Sequence, residues 1–275
     1  MSESIATSLS SSVKSRLKRG KTQLPPVPGA AVHLMELSQR ANVDAAQLTA
    51  VIQRDRALAG RVLRVANAGS FRGVNQIVSL HQAVARLGSE LITELACAAS
   101  LQSAFPSPAY AAQTALCTRV SLGAALFAKR VARSSRRNVE AAFLIGLMHN
   151  LGEATVLYLL GKRRGLTPDL LQACIDQTEV DAGLAVAKTW KLPLAVRSAV
   201  EFYRNPEIAP PEHGEPAAVA ALARYLARRV FLPEGCAPTT EAPGLEILGL
   251  YPDEVEEILD DAEEVRDTVR AMEGG

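Results

Sequence analysis

Apolar residues recur three and four positions apart along almost the whole chain, and no convincing run of alternating strand residues interrupts them. A chain patterned this way can bury its apolar stripes only by packing helix on helix, so the expected fold class is all-α. Polar residues stand where helices should begin. Asp44 precedes a run with Leu48, Val51 and Ile52 on one face, Asp55 precedes Leu58, Val62, Leu63 and Ala66, and Ser79 opens "LHQAVARL", which stops at Gly88. Ser89 opens the next run to Ser103, and "FPSPA" at 105–109 breaks the pattern more sharply than any other point in the middle of the chain. Beyond it a long helix is expected over about 109–132, then helices over 139–149 and 153–160, and others after Pro168, Thr178, Pro193 and Pro216.

Composition narrows the function classes. A hydrophobic share of 48% in 275 residues is ample for a packed core. The apolar runs "AAFLIGLM" and "ATVLYLL" each fall short of the roughly 20 residues of a bilayer span, and the serine-rich, then basic N-terminus lacks the apolar core of a secretory signal. A cytoplasmic protein with no membrane span is expected. Cys97, Cys117, Cys174 and Cys236 lie far apart with no CxxC pair, which argues against disulfides and zinc knuckles. Nucleic acid is not an expected partner, because aromatic residues are only 4% and the basic cluster "KRRG" lacks interleaved stacking residues. There is no GxSxG elbow and no glycine-rich phosphate loop following a strand.

The net charge of +1 conceals two oppositely charged ends. Lys14, Arg16, Lys18, Arg19 and Lys21 mark a basic N-terminal segment, read as a flexible tail, whereas residues 253–267 carry nine acids and one arginine. The two ends are expected either to attract each other or to serve separate partners. In the acidic segment Val255, Ile258, Ala262, Val265, Val269 and Met272 share a stripe of nearly three heptads, so 252–275 is expected to form one amphipathic helix. Its stripe either docks on its own domain, the favoured outcome, or binds a partner. On the second outcome Val255, Ile258, Ala262, Val265 and Val269 are the partner-binding candidates.

Three blocks in order, "LPPVPGAAVHLMELSQ", "LTAVIQRDRALAGRVLRVANAGSF" and "IVSLHQAVARLG", resemble the amino-terminal half of an HDOD domain, a bacterial signalling module distantly related to HD-type metal-dependent phosphohydrolases. "SLGAALFAKRVA", "EAAFLIGLMHNLGEATVL" and "AKTWKLP" are similar to its second half. The resemblance covers residues 24–231. It implies an amino-terminal helical subdomain (24–106) packed on an HD-like helical bundle (107–231), with the basic tail (1–23) before them and a linker (232–251) and the acidic helix (252–275) after.

An HD enzyme needs several histidines and aspartates converging on one or two divalent ions that activate water. The ligand positions implied by the resemblance fall on Val120, on His149 and Asn150, on Glu179, and on Phe202, Tyr203 and Arg204. Valine offers no lone pair, asparagine offers a neutral amide where a carboxylate is needed, and an arginine repels a metal. His149 is therefore expected to hydrogen-bond a backbone carbonyl at a helix junction, and Asn150 to satisfy backbone groups there. No cofactor and no metal are expected. The expected function is a non-enzymatic signalling adaptor that binds another signalling protein, with a link to cyclic-dinucleotide or motility signalling implied by the family. The alternative is a weak or specialised metal-dependent phosphohydrolase. A small ligand between the two subdomains is a further expectation, with Arg61, Arg64 and Arg204 as the arginines that could hold it.

Overall fold

The computed structural model describes residues 2–18, 24–38, 40, 43–67, 76–163 and 165–273. Among these residues every regular element is helical. In the first half these are α1 (Ser2–Lys18), α2 (Gly29–Ser38), α3 (Ala45–Gln53), α4 (Arg56–Ala66), α5 (Leu80–Leu87) and α6 (Ser89–Gln102). The bundle that follows comprises α7 (Ala111–Ser134), α8 (Val139–Met148), α9 (Leu151–Leu160), α10 (Pro168–Thr189), α11 (Leu194–Phe202) and α12 (Pro211–Phe231). The chain closes with α13 (Leu245–Leu248), α14 (Pro252–Leu259) and α15 (Ala262–Glu273).

The helix starts are where the capping residues put them. Asp44 accepts from the Ala46 amide, Asp55 from those of Ala57 and Leu58, and Ser79 from that of Gln82, each satisfying donors that a first helical turn leaves unpaired. α2 and α4 pack on α6, and α7 packs on both α8 and α12. One continuous apolar core runs through both halves, from Leu34 and Ile92 to Phe127, Leu144 and Leu222. Val62, Phe143, Leu144, Leu147 and Trp190 are buried in it, and Leu63, Leu87, Leu116 and Leu126 are half-buried at its edge. Val139–Leu160 together reach the length and hydropathy of a membrane span, but 83% of that window lies buried inside the protein and the segment turns at His149–Asn150. It is the central helical pair of the core.

Five expectations are corrected. The N-terminal segment is not a flexible tail over Ser2–Lys18. It is a helix lying along α10, with Leu9 and Val13 buried in a second apolar cluster and Lys14 paired to Asp181 at 3.4 Å. Leu9, Val13 and Leu17 recur every four residues, a stripe that the serine and lysine content masked. Residues 19–23 lie outside the described residues. No new helix begins after Thr178, because α10 runs unbroken through it with the Thr178 hydroxyl donating back to the Cys174 carbonyl. Nor does one begin after Pro216, which lies in the first turns of α12.

The 232–251 linker is ordered against the bundle, with Ala242, Leu248 and Leu250 buried. It turns at Gly244, whose φ of 79° and close approach to Ala218 leave no room for a side chain. The acidic segment is two helices broken at Asp260–Asp261, and its stripe turns inward. Val255, Ile258, Val265 and Val269 are buried and Ala262 is half-buried, so the five partner-binding candidates face the protein's own core. Among the described residues the acids pair with α7 and not with the basic N-terminus: Arg130 holds Asp261 at 2.5 Å and Glu264 at 3.3 Å, and Arg119 holds Glu273 at 2.9 Å.

Candidate functional site

His149 stands at the turn between α8 and α9, fully buried. Its Nδ1–H donates to the Gly146 carbonyl at 2.7 Å, which leaves the lone pair on Nε2, and Nε2 has no hydrogen-bond partner. Burial, aided by the charge of Arg224 and opposed by the bond to Gly146, pushes its pKa down to about 3. The ring is neutral at physiological pH. The edge of Tyr203 packs against it at 5.1 Å between centroids.

Asn150 is spent on α7. Its Oδ1 accepts from the Ser121 hydroxyl at 2.5 Å, and its Nδ2 donates to the Cys117 carbonyl at 3.0 Å and the Cys117 sulfur at 3.2 Å. The group facing Nδ2 is an acceptor, so an aspartate here would set a carboxylate against a carbonyl oxygen. The amide is the chemistry that fits. Val120, next to Ser121 on α7, is buried among apolar residues and brings no donor atom.

Glu179, buried on α10, accepts from the Tyr203 hydroxyl at 3.0 Å and is ion-paired to Arg204; its second oxygen is unpartnered. Arg204 also holds Asp176 at 2.9 Å. Tyr203 and Arg204 follow the last turn of α11, which brings them over α10. Burial first, and Glu179 second, raise the Tyr203 hydroxyl above its ordinary range, so it remains a neutral donor. The Arg224 guanidinium of α12 lies 5.3 Å from the Tyr203 ring, and burial raises the Glu153 carboxyl on α9 nearby, against the pull of Arg224. Phe202 packs instead on His213, whose Nδ1 lies 2.6 Å from Ser198 Oγ.

The structure therefore gathers His149, Glu179, Tyr203 and Arg204 into one cluster, while the side chain of Asn150 braces α7 and Val120 contributes only packing. Among the described residues no three His, Cys, Asp or Glu side chains come together in an arrangement that could hold a metal ion. The divalent ion implied by the fold family does not fit these residues. One aligned position is apolar, one amide is committed to Cys117 and Ser121, and the carboxylate is neutralised by a guanidinium. Ser121, Glu153 and Arg224 escaped the sequence reading. The available signal for Arg224 was a charge set into the apolar run "AVAALARYLA".

The arrangement defines a class: an all-α protein with an HD-like bundle in which an arginine-carboxylate pair stands among the positions aligned with metal ligands. The HDOD domain family matches residues 24–206, and the chain belongs to that family. An uncharacterised protein of Treponema pallidum (strain Nichols) is 24% identical over 224 residues, which are 75% of this chain and 42% of that protein. The chain thus spans less than half the length of this relative. Among solved structures, an HDOD domain protein of unknown function from Geobacter sulfurreducens is 20% identical with a TM-score of 0.70, over 95% of this chain and 98% of that one. A "putative metal-dependent phosphohydrolase" from Shewanella amazonensis SB2B is 20% identical with a TM-score of 0.71, over 98% and 99%. A "putative signal transduction protein" from Marinobacter aquaeolei VT8 is 22% identical with a TM-score of 0.68, over 100% of this chain and 66% of that one. These likenesses show the fold.

Proposed function

We propose that this HDOD protein is a non-catalytic signalling adaptor of the bacterial cytoplasm, acting through contacts with another signalling protein in a cyclic-dinucleotide or motility circuit. The observation that carries the reading is the ion pair between Glu179 and Arg204, closed by the Tyr203 hydroxyl. A fixed guanidinium supplies the positive charge that a divalent ion would supply, yet it offers no open coordination position for a water nucleophile. The solved "putative signal transduction protein" with the same fold is in keeping with this reading.

One feature favours the phosphohydrolase alternative: the unpartnered lone pair of His149 Nε2 is in the tautomer that ligates metals. Metal analysis and a phosphodiesterase assay decide between the two. The purified chain is expected to hold no stoichiometric Mn, Fe, Zn or Mg and to hydrolyse no phosphodiester above background. A retained metal, together with an activity that disappears in His149→Ala, would overturn the adaptor reading. Affinity capture from the native host would then identify the signalling partner.

A further inference from the structure

Between the first helices and the bundle lies an open cleft of about 1130 Å³, and nothing in the adaptor reading uses it. α4 lines one wall with Arg56, Arg61 and Arg64, and α7 lines the other with Arg119. Against these four cations the cleft holds one carboxylate, Glu273 at the end of α15. Arg119 Nε already donates to both oxygens of that carboxylate, at 2.9 and 3.1 Å, and Arg61 donates to the Ala99 carbonyl at 3.0 Å. Arg56 and Arg64 have no hydrogen-bond or ion-pair partner among the described residues. Like charges two turns apart on one helix repel, and an anion between them and Arg119 removes the repulsion.

The floor of the cleft is different in kind. Gln102 and Thr114 line both the cleft and a smaller recess of about 70 Å³ behind it, walled by Leu101, Phe105, Leu147, Met148 and Trp190. Gln102 Nε2 and Thr114 Oγ1 are buried with no partner, where side-chain polar atoms ordinarily find one. An unpartnered donor amide and hydroxyl buried between an arginine mouth and an apolar recess match a ligand with three parts: an anion, an uncharged hydrogen-bonding head and an apolar edge. The recess is too small for a whole purine, so it accepts an edge of the head. Guanidinium forks select phosphate through paired hydrogen bonds, and several of them favour a doubly charged phosphate over a single carboxylate.

We propose that this cleft is a binding site for a small soluble organophosphate of nucleoside monophosphate size, with its phosphate between Arg56, Arg64 and Arg119, its head on Gln102 and Thr114, and Glu273 as the built-in competitor. Asn150 lines the recess, but none of His149, Glu179, Tyr203 and Arg204 lines the recess or the cleft, so failure of this site leaves the adaptor reading untouched, and the reverse holds too.

The full chain carries its own reporter, since Trp190 is the single tryptophan and lines the recess. The four common ribonucleoside 5′-monophosphates are titrated while Trp190 emission and heat are recorded, with the matching nucleosides, inorganic phosphate and vesicles containing phosphatidic acid as separate arms. At least one nucleotide is expected to bind and shift the emission, with its nucleoside and inorganic phosphate each weaker by about 10-fold or more. Arg56→Ser with Arg64→Ser, both on exposed side chains, is expected to leave the melting temperature unchanged and to raise Kd by about 10-fold or more. Glu273→Gln is expected to lower it. No emission change with any of the four nucleotides up to about 1 mM, an unchanged Kd in the double variant, or binding of the vesicles alone would each overturn the proposal.

Discussion

At the residue scale, the buried cluster makes distinct demands at three positions. His149 is neutral in the fold with a pKa near 3, against an ordinary value of 6.5, so the unfolded chain binds its proton first. The stability tied to this ring is therefore complete above pH 6.5 and is lost as pH falls toward 3. Between pH 6.5 and 5 wild type should lose about 2 kcal/mol more than His149→Gln, as read by urea denaturation of the two proteins at each pH. Glu153, whose pKa is raised by burial, opposes this trend but is common to both proteins. Asn150→Asp creates in sequence the His-Asp pair of HD-type enzymes yet sets a carboxylate against the Cys117 carbonyl. It should cost about 2–3 kcal/mol without conferring metal binding, and a stable variant that retains a divalent ion would contradict the packing described. Gly152 is where α9 crosses α10: a Cβ there would lie 1.9 Å from the Glu179 carbonyl oxygen. Gly152→Ala should cost at least about 3 kcal/mol by thermal denaturation, because the obstacle is backbone.

At the element scale, helix starts were legible and helix partners were not. Asp44, Asp55 and Ser79 cap by bonds to amides two or three residues away, so sequence alone locates them. The Leu9, Val13 and Leu17 stripe gains meaning only against the groove of α10, a helix more than 150 residues later in the chain. The heptad spacing of the acidic segment likewise showed which residues share a face but not what covers it. That cover is α7 and α12 of the bundle together with α4 of the first half. Truncation after Pro243 removes Leu248, Val255, Val265 and Val269, and should expose the apolar surface of α7, α12 and α4 that they cover and lower the melting temperature clearly. Val265→Ala, a milder probe, should cost about 2 kcal/mol, and a stability unchanged by either would show that α15 is a detachable element.

At the scale of the whole molecule, the two halves are tied through Trp190, whose indole N–H donates to the Pro25 carbonyl at 2.9 Å while its ring lies 5.6 Å from that of Phe105. Acrylamide should quench its emission several-fold less efficiently than that of free tryptophan. Quenching equal to free tryptophan would mean that the 24–28 segment leaves the bundle. The sequence by itself determined the all-α class, the capped helix starts, the family and the failure of Val120 as a ligand, because these rest on local hydrogen bonds, periodicity and side-chain chemistry. Only the tertiary structure decided that Arg204 meets Glu179 across α10 and α11, that Asn150 is bound to α7, and that Arg56, Arg64 and Arg119 share a cleft with Glu273. Those meetings join residues from 25 to more than 200 positions apart, and the direction in which a helix face points is set by the packing of every other helix against it, which no local pattern encodes.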